Sequence, residues 1–457
     1  MNEYPALIND PGAEREERLA ALRAYEAAGE AAGRPTAART GEINNHVHTI
    51  YSFSPYTPSM AALRARDAGL AAAGSVDHDS VGAAEEMIAA CAAVGIGGCT
   101  GFEVRVSFKK GADGKPGPFA GRKINNPDSP GLVYMTVQGV PKGAIPRAAA
   151  FLAPIRARRD ARTRRMADAA NAILRRAGLR ELDFERDVRG ISKSAEGGGI
   201  TERHLLAAVS ASLIERHGTG PALVAALGAD LGVAVPPKVV ALLGDPGNPH
   251  YAFDLLGALK SSFLDRVFIQ PDEEECISAT AVVDFARSIG AIPAYAYLGD
   301  VGESPTGDKK AEKFEDDYLE ELFDELARIG YRAVTYMPPR NTVDQLRRVQ
   351  RLCAERGFMQ ISGVDINSSR QSFNCPEVLK DEFKHLVDTT WALIAHERLA
   401  SVDAALDLFS AANPLAARSL DERLAVYARA GRDLDPRRPE ESAVAVAAKL
   451  RNRRYSS

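Results

Sequence analysis

Two of the chain's eight histidines stand one residue apart in the segment Asn44-Asn45-His46-Val47-His48-Thr49. The preceding residues, Gly41-Glu42-Ile43, are typical of a strand start. Because successive side chains of a β-strand point to opposite faces, His46 and His48 are predicted to share a face, about 6–7 Å apart. Two imidazoles that converge in this way make half of a metal site, whereas an isolated His-x-His is often two solvated histidines on an edge strand.

Further polar residues stand at the ends of other predicted strands. They are Asp77 and His78 after residues 74–76, Glu103 after residues 96–101, and Asp365, which shares a face with Asn367, in residues 359–367. Parallel α/β folds place their chemistry at the carboxyl ends of strands, so these residues are expected to converge with the histidine pair. Their coincidence favours a metal site over solvated histidines.

The alternation of strand and helix signals divides the chain into regions. Strand signals fall at residues 43–49, 74–78, 96–101, 132–137, 291–297, 333–336 and 359–367, with helix signals between them at residues 60–68, 81–94, 279–289, 316–329 and 342–356. The predicted organisation is an N-terminal helical arm (1–40, with one helix at 10–33 capped by Asp10), an α/β barrel (41–144 and 266–376), a helical insertion subdomain (145–265) and a helical C-terminal region (377–457). A Gly/Pro-rich loop at 107–130, which includes Pro127, and a charged loop after Asp300 are predicted to be irregular.

Composition and charge limit the function classes. The 457 residues are 45% hydrophobic and 26% charged, with a net charge of −4, which argues against a protein whose whole surface coats nucleic acid or anionic membrane. The five cysteines form no Cys-x-x-Cys pair, so neither a zinc knuckle nor a disulfide framework is indicated. No signal peptide and no apolar run of membrane-spanning length is recognisable. We therefore expect a cytoplasmic protein without a membrane partner.

The predicted insertion concentrates arginines on one helix. Arg158, Arg162 and Arg165 follow a three-to-four step, which places them on one helix face. Such a run predicts either a solvated face or a surface that binds phosphate, and the sequence leaves the choice open.

A second basic feature of the insertion is a helix start. Gly197-Gly198-Gly199 precedes Thr201, a residue that favours the N-cap position, so Arg203 and His204 fall in the first helical turn. The free N–H groups of a helix N-terminus attract anions, and an adjacent arginine and histidine strengthen that attraction. This start is predicted to bind phosphate; two side chains that only face water are the alternative.

Six short motifs occur in the order and spacing of the PHP (polymerase and histidinol phosphatase) superfamily. They are His46-Val47-His48-Thr49, Asp77-His78-Asp79, Gly101-Phe102-Glu103, Arg203-His204, Ile292-Pro293-Ala294-Tyr295-Ala296-Tyr297 and Gly363-Val364-Asp365. The resemblance covers roughly residues 41–375 and is greatest to the branch with a helical insertion, whose members act on nucleoside bisphosphates and short nucleic acids. It implies an α/β fold, a distorted (β/α)7 TIM-like barrel of the PHP type, with up to three divalent metal ions at the strand ends.

The resemblance also implies roles for single residues. His46, His48, Glu103 and Asp365 correspond to one complete metal site, and His78 corresponds to a ligand of another. Other ligand positions of the superfamily differ here: Phe53 replaces an aspartate, Tyr297 and Asn367 replace histidines, and Tyr134-Met135-Thr136 occurs where a further histidine is expected. At least one divalent ion is therefore expected, whereas the ligand sets of a second and a third ion are incomplete. Two imidazoles with two carboxylates suit Zn²⁺, Mn²⁺ or Fe²⁺.

The activity that the resemblance implies is that of a metal-dependent phosphoesterase. A divalent ion polarises a phosphoryl oxygen and lowers the pKa of bound water, which His78 or Asp77 would orient. The substrate is expected to be a small phosphorylated molecule, nucleotide-like or a short oligonucleotide. The groups predicted to neutralise its phosphate are His204, Arg203, Arg158 and Arg162. Two alternatives remain: a degenerate member that binds a phosphorylated ligand without turning it over, and C–N hydrolysis at the same metal.

Overall fold

Seven strands form a single sheet in which the spatial order follows the chain order. The strands are β1 (Ile43–Val47), β2 (Ala72–His78), β3 (Gly97–Ser107), β4 (Leu132–Gln138), β5 (Ile292–Ala296), β6 (Ala333–Tyr336) and β7 (Met359–Ser362). β1, β2 and β3 are parallel to one another, as are β5, β6 and β7, and β4 runs antiparallel to both of its neighbours. These elements belong to a computed structural model of the chain, which describes residues 3–33, 37–111, 114–126, 129–301 and 313–452.

Hydrogen bonds between β1 and the segment after β7 bring the two edges of the sheet together. Val47 and Ile366 form a parallel bridge. The His48 N–H donates to the Ile366 carbonyl (2.9 Å), and the Ile366 N–H donates to the His46 carbonyl (3.0 Å). The sheet is therefore a nearly closed seven-stranded barrel, and the predicted distorted TIM-like barrel is confirmed.

Helices surround the barrel, project from it and follow it in the chain. They are α1 (Glu3–Ile8), α2 (Arg15–Ala31), α3 (Pro58–Asp67), α4 (Ala84–Val94), α5 (Ile145–Arg176), α6 (Glu202–His217), α7 (Pro221–Ala229), α8 (Pro237–Gly244), α9 (Tyr251–Ser262), α10 (Ala279–Ser288), α11 (Leu319–Ile329), α12 (Val343–Arg356), α13 (His385–Val402), α14 (Leu420–Arg432) and α15 (Pro439–Arg451). Within the described ranges, none of these helices is both long enough and apolar enough to cross a bilayer.

The N-terminal residues form two helices, where the sequence predicted one over residues 10–33. The chain turns at Asp10, whose carboxylate accepts the Gly12 N–H (2.7 Å), and α2 begins only after its N-cap, Glu14. The predicted N-cap role of Asp10 is therefore wrong, because its side chain closes the turn instead. α2 packs on the barrel helices through a fully buried ion pair between Arg18 and Glu86 of α4 (2.7 Å).

α5 belongs to two hydrophobic cores. Its first half buries Ala148, Leu152 and Ile155 in the core of the barrel, whereas from Met166 onward it packs in a separate core with residues of α6 to α9. One helix of 32 residues therefore carries the chain from the barrel into the insertion. The insertion limits 145–265 remain a prediction. Because α5 runs without a break through both cores, it contains no boundary at residue 145 that would separate the insertion from the barrel.

The Gly/Pro-rich loop between β3 and β4 lies almost where it was predicted. It follows Ser107, the last residue of β3, and precedes Leu132, the first residue of β4. Within it, Lys110 and Pro116 form an antiparallel bridge. Pro127 of this loop lies outside the described residues, as do residues 302–312 of the predicted charged loop.

Candidate metal centre

Five side chains with metal-ligand atoms converge where β1, β2 and β7 end and on the middle of β3. His48 Nε2 lies 3.4 Å from Asp365 Oδ1 and 3.9 Å from Glu103 Oε2. His46 Nε2 lies 3.8 Å from Glu103 Oε1, and His78 Nδ1 lies 2.8 Å from Glu103 Oε2. The ligand atoms form two groups, each spanning no more than 4.8 Å: one of His46, His48 and Asp365, and one of His48, His78 and Glu103. The structure thus brings together all five predicted ligand residues.

The strand register explains this convergence. His78 and Glu103 are direct partners in the parallel pairing of β2 and β3, so they stand side by side. His46 and His48 have ring centroids 5.1 Å apart, as expected for side chains on one face of a strand. Asp365 joins them because the segment after β7 is bridged to β1. Glu103 was expected just past a strand end, but it lies inside β3, which is longer than predicted because the antiparallel β4 pairs with its second half.

The charge states of these groups fit a divalent cation. Burial lowers the pKa of His48 to about 3, so its imidazole is neutral at pH 7 and keeps a lone pair for a metal. Burial opposes the ionisation of Glu103 and Asp365, but the surrounding imidazoles outweigh it: they lower the pKa of Glu103, and they lower the pKa of Asp365 to about 2. Neutral imidazoles with ionised carboxylates are the donors that Zn²⁺, Mn²⁺ and Fe²⁺ accept. The residues present therefore fit a divalent ion.

A buried hydrogen-bond chain orients His48. Its Nδ1–H donates to Ser52 Oγ (3.2 Å), and the Ser52 hydroxyl donates to Asp77 Oδ1 (2.6 Å). Asp77 also accepts the N–H and the hydroxyl of Thr49 (2.7 and 2.6 Å). With Nδ1 as the donor, Nε2 of His48 is left as the ligand atom. Asp77 is thus a positioning residue that holds the loop after β1. Its predicted role of orienting water lacks support, because three donors already occupy its carboxylate.

Asp365 is oriented by contacts that lead to the insertion. The Asn367 side-chain amide donates to Asp365 Oδ1 (2.7 Å), and the Asn367 carbonyl accepts from Arg203 Nη2 (2.8 Å). Asn367 stands where the resemblance places a ligand histidine, and here it is a hydrogen-bond donor to a ligand. Arg203, in the first turn of α6, is thereby held beside the ligand cluster.

Phe53 and His204 are in contact between the loop after β1 and the insertion. Their rings meet edge to face with centroids 4.9 Å apart, and Phe53 has a φ of 72°, which is uncommon for a residue other than glycine. His204 Nδ1 accepts the Thr201 N–H (3.0 Å), and its Nε2 is buried without a partner among the described residues. Burial and the neighbouring Arg159 lower the pKa of His204 to about 3. The predicted cationic role of His204 is therefore corrected: the ring is neutral and can only donate through Nε2–H.

The three glycines before α6 take part in a close packing contact. The Gly199 N–H donates to the Tyr51 carbonyl (2.9 Å), and a Cβ on Gly198 would lie 2.9 Å from the same oxygen. Gly197 has a φ of +85°, in the left-handed region that favours glycine. The glycines allow the approach to α6 to lie against the loop after β1, and this contact by itself accounts for them.

A buried ion-pair network fixes the insertion to the barrel. Its members are Arg105, Arg159, Arg162, Glu202, Glu275 and Asp79, with N–O distances of 2.6 to 3.3 Å. Arg162 pairs with Glu202 and Glu275, whereas Arg158 is exposed and pairs with Glu274. Arg158 and Arg162 lie one turn apart in α5 as predicted, but they differ in burial. Their predicted phosphate-binding role lacks support, because each guanidinium already has a carboxylate partner.

Tyr134 is a residue of the site that the sequence did not single out as functional. It lies opposite Arg105 in the pairing of β3 and β4, and its ring centroid is 6.0 Å from that of His78. Burial raises the pKa of Tyr134 to about 12, so the phenol stays protonated at pH 7. The signal that could have found it is its place in the stretch where the resemblance expects a histidine. The Tyr297 hydroxyl, in contrast, donates to Asp316 (2.7 Å), which is not one of the ligand residues.

Comparisons with known proteins give likenesses of fold. No protein-family model matches the chain, and no curated protein matches it in sequence. One similar solved structure is an amidohydrolase from Chromobacterium violaceum with bound sulfate and no metal: it is 20% identical with a TM-score of 0.46, and the match covers 75% of this chain and 95% of that one. Another is a proposed metal-dependent phosphoesterase from Bifidobacterium adolescentis, 17% identical with a TM-score of 0.47, covering 75% and 93%. The case for the metal centre rests on the contacts above.

Proposed function

We propose that the protein is a metal-dependent phosphoesterase of the PHP type that hydrolyses a small phosphorylated substrate. One observation carries the proposal: His46, His48, His78, Glu103 and Asp365 place their donor atoms in two groups that each span no more than 4.8 Å. A divalent ion held by these residues supplies Lewis-acid chemistry, which polarises a phosphoryl oxygen and acidifies water. The cluster also lies at the carboxyl ends of barrel strands, where barrels of this architecture carry their active sites.

Two of the five side chains border the space that solvent reaches. The Asp365 side chain is 37% exposed and that of His78 is 21% exposed, whereas that of His48 is 2% exposed. Substrate and water therefore approach from the side of Asp365 and His78, with His48 beneath them. Glu103 holds Nδ1 of His78 at 2.8 Å. This contact orients the ring, so that its other nitrogen can bind the ion or accept a proton from the attacking water.

The first turn of α6 supplies the groups that we propose bind the phosphate. Arg203 is anchored through Nη2 on the Asn367 carbonyl (2.8 Å), and its guanidinium carbon lies 5.7 Å from the ring centroid of Phe53. A guanidinium fixed in this way binds phosphate oxygens through charge-assisted hydrogen bonds. The neutral His204 adds one N–H donor, and the protonated phenol of Tyr134, beside His78, adds another. Nucleotides and short oligonucleotides are the substrates that we would test first.

The test of this function is metal content and turnover in Asp365→Ala. Because the substitution removes one ligand, we expect the variant to lose its ion during dialysis against a weak chelator and to lose hydrolysis. Asp381→Ala is the matched control, since Asp381 has a side chain that is 95% exposed. Elemental analysis measures the ion, and a panel of phosphomonoesters, nucleotides and short oligonucleotides measures turnover. Asp365→Ala with the full metal content of the wild type would refute the metal site.

A second candidate function is binding of a phosphorylated ligand without hydrolysis. The observation that favours it is that Phe53 and Asn367 stand where the resemblance expects metal ligands, and Phe53 offers no donor atom. A metal-loaded wild type that binds a nucleotide in equilibrium dialysis, but releases no phosphate from any substrate of the panel, would establish this alternative. Release of an amine or ammonia from a panel of amides, without phosphate release, would instead indicate C–N hydrolysis at the same centre.

A further inference from the structure

A groove of about 550 Å³ lies at the end of the barrel opposite the metal ligands. Its walls are Pro141 and Arg147 after β4, residues 287–291 before β5, Arg332 before β6, and residues within 400–410 at the end of α13 and after it. The ligand cluster is at the carboxyl ends of parallel strands, whereas this groove is at the amino ends of β5 and β6. The two sites therefore do not share residues.

Arginines dominate the charge of this groove. Arg147, Arg287 and Arg332 line it. Arg423 of α14 lies next to Arg332 across Phe409: the two guanidinium carbons are 5.8 and 5.6 Å from the ring centroid. Two guanidinium groups thus lie beside one apolar ring, and two further arginines line the same groove.

One carboxylate offsets only part of this charge. Within the described ranges, Arg287, Arg332 and Arg423 form no ion pair, and Asp407, the one described carboxylate that lines the groove, also accepts the N–H of Phe409 (2.8 Å). Burial, together with repulsion from Arg287 and Arg423, lowers the pKa of Arg332, although the charge of Asp407 acts in the opposite direction. The network around Glu202 is the opposite case, since each of its arginines has a carboxylate partner. Arg332 and Arg423 are half-buried, whereas Arg147 and Arg287 are exposed. The repulsion therefore falls mainly on the half-buried pair, and a bound anion would offset it.

We propose that this groove is a binding site for a compact polyanion that carries two or more phosphate or carboxylate groups. Guanidinium groups bind either anion through paired, charge-assisted hydrogen bonds, and several arginines on different walls require a ligand with several negative groups. The volume is that of a small-molecule site. Binding would remove the repulsion between Arg287, Arg332 and Arg423. The proposal is independent of what the metal centre does.

The test is calorimetric titration of the metal-loaded full chain with two probes, inorganic pyrophosphate and citrate, at constant ionic strength set with sodium chloride. Arg332→Gln and Arg287→Gln are expected to weaken binding of at least one probe by about tenfold or more, the usual effect of losing a charged hydrogen-bond donor. Arg347→Gln is the control, because Arg347 is exposed and pairs with Glu382 (2.6 Å). Pyrophosphate and citrate can also bind a divalent ion at the metal centre, so the groove event is the one that persists in Asp365→Ala, the variant expected to lose its ion.

Thermal unfolding separates loss of the site from loss of the fold. Without a probe, Arg332→Gln is expected to unfold at the same temperature as the wild type or higher, because it relieves repulsion, and it should lack the rise that a bound probe gives the wild type. Effects with pyrophosphate alone would identify phosphate as the ligand group, and effects with citrate alone would identify carboxylate. Equal affinities for both probes in the wild type, Arg287→Gln and Arg332→Gln would overturn the proposal, as would an equal loss in Arg347→Gln.

Discussion

The hydrogen-bond chain behind His48 makes Ser52 a sensitive test of the metal centre. Ser52 accepts a hydrogen bond from the His48 Nδ1–H (3.2 Å) and donates one to Asp77 (2.6 Å), so it fixes the orientation of the ring without contacting an ion. Ser52→Ala removes the acceptor, and the ring is then free to turn or to change its tautomer. Partners of this kind typically contribute about 10–100-fold in metal affinity, which corresponds to about 1.4–2.8 kcal/mol. We expect a loss of that size.

The matched control is Ser54→Ala. Ser54 is also buried and lies in the same loop, but its hydroxyl has no hydrogen-bond partner among the described residues. The assay is competition for Zn²⁺ or Mn²⁺ between the metal-stripped protein and a chelating indicator, with circular dichroism to verify that both variants are folded. Ser52→Ala should bind more weakly, and Ser54→Ala should match the wild type. Equal affinity in Ser52→Ala and the wild type, or an equal drop in both variants, would refute the reasoning that this chain orients a ligand.

Three further predictions address the phosphate, the fold and the pH dependence. Arg203→Ala should lower kcat/KM by about one to two powers of ten and leave metal content unchanged. Arg216→Ala, at an exposed position of the same helix, should change neither quantity. Kinetics and elemental analysis measure the two, and loss of the ion in Arg203→Ala would contradict its role in phosphate binding. Glu202→Gln leaves buried arginines without their carboxylate partner and should lower the free energy of unfolding, measured by urea titration, by about 3–5 kcal/mol. The control Glu185→Gln, in an exposed ion pair, should lower it by about 0–1 kcal/mol. Equal effects of the two variants would mean that the network does not hold the insertion. Burial raises the pKa of Glu397 from 4.5 to about 7, so between these pH values the folded state keeps a proton that the unfolded state releases, and stability falls as pH rises. In thermal unfolding between pH 4.5 and 7, Glu397→Gln should make stability depend less steeply on pH. An unchanged dependence would exclude Glu397 as its origin.

The sequence by itself predicted the barrel and the residues that the fold gathers into the candidate metal centre. His46 and His48 share a face because strand side chains alternate. His78 and Glu103 belong to paired strands, and Asp365 follows β7 in a segment that is bridged to β1. These relations depend on local periodicity and on motif order, which the sequence carries directly. The position of Glu103 was predicted less well, because the length of β3 depends on its pairing with β4, a strand that comes about thirty residues later.

Only the tertiary structure decided what the remaining polar residues do. Asp77 lies near the end of a strand as a catalytic group would, but Thr49 and Ser52 donate hydrogen bonds to its carboxylate. Arg162 repeats at helical spacing as a phosphate-binding residue would, but Glu202 and Glu275 neutralise it. In each case the residue type fixes which hydrogen bonds and charges a side chain can offer, and the sequence shows that much. Which partner takes them depends on distances between segments far apart in the chain, and packing alone sets those distances.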